Sequence, residues 1–146
     1  MRLLPALALA LLPVPLLAQE EPEEDAPAIE AVIADQLADF AARDVAGAWE
    51  HASPTIQGVF GTPGNFGTMV EMGYPMVWTN DGGEFLDLRE VAGAPHQRVM
   101  VRDAEGRGWI LDYEMVELPE AAEVAPGGGG WRINGVMVLP APELAA

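Results

Sequence analysis

The chain has 146 residues, enough for one domain, and carries 23 acidic residues against 7 basic ones, for a formal net charge of −16. Every basic residue is an arginine, and cysteine is absent. A nucleic-acid-binding protein needs a basic surface to displace counterions, so this charge balance excludes nucleic acid as a partner. The lack of cysteine excludes disulfides, thiol nucleophiles and thiolate metal sites.

The N-terminus has the pattern of a secretory signal peptide. Arg2 is followed by an apolar run over residues 3–17 that three prolines interrupt, and Ala18 precedes an acidic stretch. A membrane span needs about 20 apolar residues, so this run is too short to cross a bilayer. We expect residues 1–18 to be cleaved, which makes the protein periplasmic or secreted, with no stable membrane anchor after cleavage. An uncleaved N-terminal anchor is the alternative.

Residues 19–26 (QEEPEEDA) are acidic and typical of a solvated linker. From Pro27 onward the apolar residues recur at helical spacing, which predicts an amphipathic helix to about Arg43. The apolar stripe of this helix must face a core. It consists of Ile29, Val32, Ile33, Leu37, Phe40 and Ala41.

Capping signals predict two or three short helices after the first one. Asp44, Ser53 and Thr62 are residue types that favour the N-cap, and proline directly follows two of them. Proline suits the first turn of a helix, where its missing amide donor has no partner to lose. Gly73 is expected to end the last of these helices.

After Gly73 the apolar period changes from helical to two, which indicates strands. Strands are predicted over residues 74–79, 84–91, 97–103, 107–118 and 131–139, with a polar loop at 119–130 and a tail at 141–146. The predicted fold is therefore α+β. It is a single domain over residues 27–140, with N-terminal helices packed on a curved antiparallel sheet of four to five strands.

The inward face of the strand at 84–91 stays open. Asp87 and Arg89 share a side with Phe85, but Leu86 and Leu88 on the other side fit a core at least as well.

The loop at 104–106 determines a register between its flanking strands. With Gly106 in the left-handed conformation, Asp103 pairs with Arg107. One face of the two strands is then almost wholly apolar and should meet the helices. Its one polar pair is Gln97 and Tyr113, which would bond to each other if this face is ordinary core. The pairs are Val101–Trp109, Val99–Leu111 and Gln97–Tyr113 on that face, and Met100–Ile110 and Arg98–Asp112 on the opposite, outer face.

The outer face is too apolar for a surface that is fully solvated, since Met100, Ile110 and Val116 share it. A homodimer through the outer sheet face or a covering tail would explain these residues.

One stretch resembles a known family. Residues 52–75 read ASPTIQGVFGTPGNFGTMVEMGYP and are followed by QRV at 97–99, DAEG at 103–106, YEM at 113–115 and WRINGV from Trp131. This pattern resembles a family of small exported alphaproteobacterial proteins classed only as a domain of unknown function. That family is similar to the cystatin-like, nuclear-transport-factor-two-like (SnoaL-like) superfamily. The resemblance implies helices packed into the concave face of a curved antiparallel sheet. It implies no catalytic residue, because the family itself carries none that could be transferred. The superfamily holds isomerases, dehydratases, cyclases and non-enzymatic binding modules, so the fold does not decide the function.

The residue types that perform acid–base or metal chemistry are not placed for it. His51 and His96 fall in different kinds of element, whereas a metal needs three or four converging ligands. Asp112 and Glu114 lie on the outer face, and the cap position explains Ser53, the only serine. We therefore predict no catalytic residue, no metal and no cofactor.

Aromatic and amide side chains near the junction of the short helices and the sheet form the best candidate site. A mostly apolar cavity with a few polar groups is the usual composition of a ligand site, although the same residues also fit an ordinary core. The candidate ligand-binding residues are Trp49, Gln57, Phe60, Tyr74, Gln97, Tyr113 and Trp131.

Three functions stay open at this point. The first is an exported, non-catalytic binding or accessory module with a cone-shaped pocket for an unknown small molecule or protein. The second is an isomerase or dehydratase-type enzyme that uses a cavity acid or tyrosine. The third is a dimeric scaffold without a ligand.

Overall fold

The computed structural model describes residues 22–119 and 130–140. The helices in these residues are α1 (Pro22–Ala41), α2 (Val45–Glu50), α3 (Pro54–Phe60), α4 (Pro63–Gly73) and α5 (Pro75–Trp78). The strands are β1 (Gly83–Val91), β2 (Ala94–Arg102), β3 (Gly108–Leu118) and β4 (Gly130–Pro140), in one antiparallel sheet of that order. The α+β prediction is confirmed. The predicted signal peptide, the C-terminal tail and most of the loop at 119–130 lie outside the described residues.

The helix α1 begins at Pro22, inside the segment at 19–26 that we expected to be a linker. Proline suits the first position of a helix, and the acidic side chains of Glu24 and Asp25 interact favourably with the positive end of the helix dipole. Most of the predicted stripe is buried, but Ala41 is exposed because the helix ends there. Within this stripe, the side chains that are at most 1 % exposed are Ile29, Ile33, Leu37 and Phe40.

The helices α2, α3 and α4 begin at the predicted caps. The side chains of Asp44, Ser53 and Thr62 each accept a hydrogen bond from the backbone amide three residues later, over 3.0, 3.2 and 3.1 Å. Each bond satisfies an amide that has no partner within its helix. Local capping chemistry therefore accounts for the close succession of these three helices.

The strand predicted over residues 74–79 is wrong, because Pro75–Trp78 form the helix α5. Pro75 occupies the first turn of α5, as Pro54 and Pro63 do in α3 and α4. The single turn buries Met76 and Val77, both about 5 % exposed or less. Four residues are too few to reveal a helical period in the sequence.

The strands β2 and β3 pair in the predicted register, with Val99 opposite Leu111 and Gln97 opposite Tyr113. These four side chains are at most 1 % exposed, which confirms that this face meets the helices. The outer face carries Asp112, as predicted.

The turn between β2 and β3 is held by Asp103. One of its carboxylate oxygens accepts from the amides of Glu105 and Arg107, and the other accepts from the indole of Trp109 over 2.9 Å. These bonds, the indole one foremost, hold the pKa of Asp103 below its usual value.

A bulge in β1 settles which of its side chains face the core. Phe85 lies opposite Val99 and Leu88 lies opposite Gln97, so three steps along β1 match two along β2. Phe85 and Leu88 therefore both pack against the core, and Arg89 lies on the outer face. The inward face of β1 is therefore neither the side of Phe85, Asp87 and Arg89 nor the side of Leu86 and Leu88, because a bulge shifts the pleat by one residue.

The junction of α2 and α3 is tied directly to β4. The amide of Ser53 donates to the carbonyl of Ile133, and the amide of Ile133 donates to the carbonyl of His51, both over 2.8 Å. Ala52 is thereby held beside Ile133. This connection brings the short helices over the inner face of the sheet, where α1 also packs.

Candidate functional site

A cavity of about 250 Å³ lies between the helices and the inner face of the sheet. Its walls come from α1, α3, α4 and α5 on one side and from β3 and β4 on the other. Three of the lining side chains are polar: Gln36, Tyr74 and Tyr113. The remaining lining residues are Phe40, Ala52, Ile56, Phe60, Phe66, Met69, Val70, Val77, Ile133, Gly135 and Val136.

Two of the three polar side chains are bonded to the protein backbone. The hydroxyl of Tyr74 donates to the carbonyl of Val136 over 3.1 Å, which joins the end of α4 to β4. The amide nitrogen of Gln36 donates to the carbonyl of Ala48 over 3.1 Å. Because that contact needs a donor, the side-chain oxygen of Gln36 is the atom left to accept a bond.

Tyr113 differs from these two residues. Its side chain is 1 % exposed, and its hydroxyl has no hydrogen-bond partner within the described residues. Burial, with a smaller contribution from the neighbouring Tyr74, raises the pKa of Tyr113 well above its usual value. The phenol is therefore a protonated hydrogen-bond donor at neutral pH. A buried polar group without a partner costs about 1–3 kcal/mol, so its presence calls for an explanation.

The bond between Gln97 and Tyr113 that an ordinary core would give is absent. The two residues face each other in the register, but the amide nitrogen of Gln97 points to backbone carbonyls, the nearest being that of Arg98 at 2.9 Å. The bulge in β1 turns the carbonyls of Leu86 and Asp87 toward the same nitrogen, each at 3.4 Å. The side-chain amide of Gln97 thus bonds to the sheet backbone and not to the hydroxyl of Tyr113.

The structure brings together three of the seven predicted ligand-binding residues, Phe60, Tyr74 and Tyr113, in the cavity wall. The other four lie outside it. Trp49 packs edge-on behind Phe66, with ring centroids 5.5 Å apart, and its backbone carbonyl accepts from Gln57. Gln97 bonds to the sheet, as described above, and Trp131 lies opposite Glu117 near the start of β4.

Sequence reasoning missed Gln36, the only amide in the described cavity lining. Its position contained a signal, since it lies three residues after Ile33 and four before Phe40, on the apolar stripe of α1. A polar residue on an apolar stripe is an informative exception. The three phenylalanines of the lining also meet there, with centroid distances of 5.8 Å for Phe40–Phe66 and 6.0 Å for Phe60–Phe66.

Charged side chains gather on the outer face instead. Asp112 binds Arg89, and Arg98 lies 3.5 Å from Asp87. The expected ion pair between Arg98 and Asp112 is therefore wrong, although the two residues are opposite in the register.

The two histidines stay apart, as their elements implied. His51 lies 3.5 Å from Asp39, whose pKa burial raises. His96 lies 3.5 Å from Asp112 on the outer face. In the described ranges, no three His, Asp or Glu side chains converge as a metal site would require.

Fold and cavity together define a small α+β domain with an apolar cavity between its helices and its sheet. A family model described as "Domain of unknown function (DUF4864)" matches residues 22–146, so the chain belongs to this family. No curated protein and no solved structure matches the chain. Across the described helices, none has both the length and the apolar character that a membrane crossing requires.

Proposed function

We propose that the protein is an exported binding module whose cavity takes a small, largely apolar molecule. The observation that carries this proposal is the cavity itself, about 250 Å³ in volume and lined mostly by aliphatic and aromatic side chains. A cavity of about 150 Å³ already admits benzene, so this space suits a substituted single ring or a compact aliphatic molecule.

The character of the lining favours an uncharged ligand. No Asp, Glu, His or Arg side chain is among the described lining residues. Burying an ion without an opposite charge costs several kcal/mol, so a carboxylate or ammonium group in this cavity would be strongly disfavoured.

The exported location is part of the same proposal. It rests on Arg2, the short apolar run at 3–17 and Ala18, in the order that export machinery recognises. The net charge of −16 suits a protein that stays soluble outside the cytoplasm.

A relationship to the cystatin-like, SnoaL-like superfamily also belongs to the proposal. The order of helices before an antiparallel sheet supports it, as does the packing of α1 on one sheet face. Such a relationship favours neither binding nor catalysis by itself.

An isomerase or dehydratase-type enzyme is the alternative use of the cavity. Such chemistry needs a group that takes and returns a proton near neutral pH. The described lining offers Tyr74 and Tyr113 for this task, and burial raises the pKa of Tyr113 away from neutrality. This favours a binding role.

A matched pair of substitutions tests the binding proposal. Val70 lines the cavity and is 4 % exposed, whereas Val59 on the neighbouring helix is 70 % exposed. We expect the purified protein to bind toluene in an NMR titration, Val70→Phe to abolish binding by filling the cavity, and Val59→Phe to retain it. Ile56→Trp, at a half-buried lining position, is the second filling variant should Val70→Phe fail to fold. A native protein that does not bind toluene, or a folded filling variant that binds it equally well, would contradict the proposal.

A homodimer through the outer sheet face is a second proposal. Met137 is 64 % exposed and lies beside Asp112 in the register, on the face that also holds Met100 and Ile110. We expect a dimer in sedimentation equilibrium that Met137→Glu dissociates. A native protein that stays monomeric at high concentration would rule this assembly out.

A further inference from the structure

We propose that the ligand of the cavity is a neutral molecule with an apolar body and one carbonyl-type oxygen, which accepts a hydrogen bond from the hydroxyl of Tyr113. The inference rests on the binding function proposed above and specifies its ligand class. It starts from one observation that the fold does not explain, a buried phenol without a hydrogen-bond partner among the described residues.

The surroundings of Tyr113 show why a ligand is the missing partner. Gln97, its neighbour across the strands, bonds to backbone carbonyls. Tyr74, which is close enough to influence the ionisation of Tyr113, donates its own proton to the carbonyl of Val136. The donor groups of these two side chains are thus engaged elsewhere, while Tyr113 forms part of the cavity wall.

The chemistry of a phenol then limits what it recognises. A protonated phenol that lacks a partner is best satisfied by an acceptor, and a carbonyl oxygen is an uncharged one. A carboxylate would accept more strongly, but it would have to leave water for a cavity whose described lining has no cation. A hydrocarbon would fill the space and leave the hydroxyl unbonded. The site therefore favours ketones, aldehydes and esters of single-ring size.

Three related probes and one substitution test this inference. Acetophenone and ethylbenzene have nearly the same shape and differ by the carbonyl oxygen, while benzoate adds a charge. Dissociation constants for all three are measured by NMR titration on the native protein and on Tyr113→Phe. We expect the preference for acetophenone over ethylbenzene to fall about five- to tenfold in Tyr113→Phe, which is the contribution of one neutral hydrogen bond. Benzoate should bind more weakly than acetophenone to both proteins.

Ethylbenzene serves as the internal control, because Tyr113→Phe should bind it at least as well as the native protein does if the cavity is intact. If both proteins bind ethylbenzene and show the same preference for acetophenone, the role of Tyr113 is overturned while the binding function stands. If benzoate binds the native protein more tightly than acetophenone, the neutral ligand class is overturned. If the native protein binds none of the probes, the binding function and the inference both fail.

Discussion

One guanidinium nitrogen of Arg89 lies 2.9 and 2.8 Å from the two carboxylate oxygens of Asp112, although Arg98 is the residue opposite Asp112 in the register. The bulge between Phe85 and Leu88 explains this choice of partner. It moves the end of β1 by one residue relative to β2, so that Arg89 reaches Asp112 diagonally across the outer face.

The two arginines should therefore differ in their contribution to stability. We expect Arg89→Gln to lower the free energy of unfolding by about 1–2 kcal/mol, since it removes a charge-assisted hydrogen bond to a carboxylate that is 14 % exposed. Arg98→Gln is the matched control. It should cost at most about 0.5 kcal/mol, because Arg98 and its partner Asp87 are both more than a third exposed. Urea unfolding of the two variants makes the comparison, and an equal loss in both would refute the proposed pairing.

The sequence predicts the register between β2 and β3 but not the bulge in β1. The pairing of Val99 with Leu111 and of Gln97 with Tyr113 followed from the three-residue loop and Gly106, because a short loop allows few registers. The bulge in β1 has no such local signal. Its position depends on how Phe85 and Leu88 both pack against the helices, which is a tertiary contact.

The candidate site was predictable to a similar degree. Of the seven residues named from the sequence, Phe60, Tyr74 and Tyr113 line the cavity. The position of Gln36 on the apolar stripe of α1 marks it as an exception in the sequence. That it lines this cavity is not predictable, because this depends on the crossing of α1 over the sheet. That crossing brings Gln36 and Phe40 to the cavity although both lie far from the other lining residues in sequence.

The unbonded hydroxyl of Tyr113 should make the protein less stable than it would be without it. We expect Tyr113→Phe to raise the free energy of unfolding of the ligand-free protein by about 1 kcal/mol, because the phenylalanine keeps the ring and removes the unsatisfied group. Tyr74→Phe should have the opposite effect and cost about 1 kcal/mol, since the hydroxyl of Tyr74 is bonded to the carbonyl of Val136. Urea denaturation followed by tryptophan fluorescence measures both. A clear loss of stability in Tyr113→Phe would mean that the hydroxyl has a partner in the free protein.

The burial of Tyr113 should make the free energy of unfolding fall at alkaline pH. An unfolded tyrosine ionises near pH 10, whereas in the folded protein burial raises the pKa of Tyr113 above that value. Below about pH 10 Tyr113 is protonated in both states, and its ionisation does not change the free energy of unfolding. Above about pH 10 this free energy falls, because the unfolded chain releases a proton from Tyr113 that the folded chain keeps. The loss amounts to about 1.4 kcal/mol per pH unit until the pKa of the folded state is reached.

Tyr113→Phe isolates this effect. We expect the free energy of unfolding, measured in urea from pH 8 to pH 11, to fall less steeply above pH 10 in the variant than in the native protein. Parallel pH profiles for the two proteins would show that Tyr113 ionises as readily in the folded state as in the unfolded one.

Two helical glycines should respond in opposite directions to the same substitution. Gly67 in α4 is buried, and a Cβ atom there would come within 2.7 and 3.0 Å of the two γ-carbons of Val45, so the contact between α4 and the start of α2 requires a glycine. Gly58 in α3 has open space where its Cβ would be.

Alanine loses less backbone entropy than glycine when a helix forms. Gly58→Ala should therefore raise the free energy of unfolding by about 0.5–1 kcal/mol. Gly67→Ala should lower it by about 1–3 kcal/mol, because Val45 must move or the two helices must separate. Thermal and urea unfolding of the two variants provide the test, and a Gly67→Ala protein as stable as Gly58→Ala would show that α2 and α4 do not pack as closely as described.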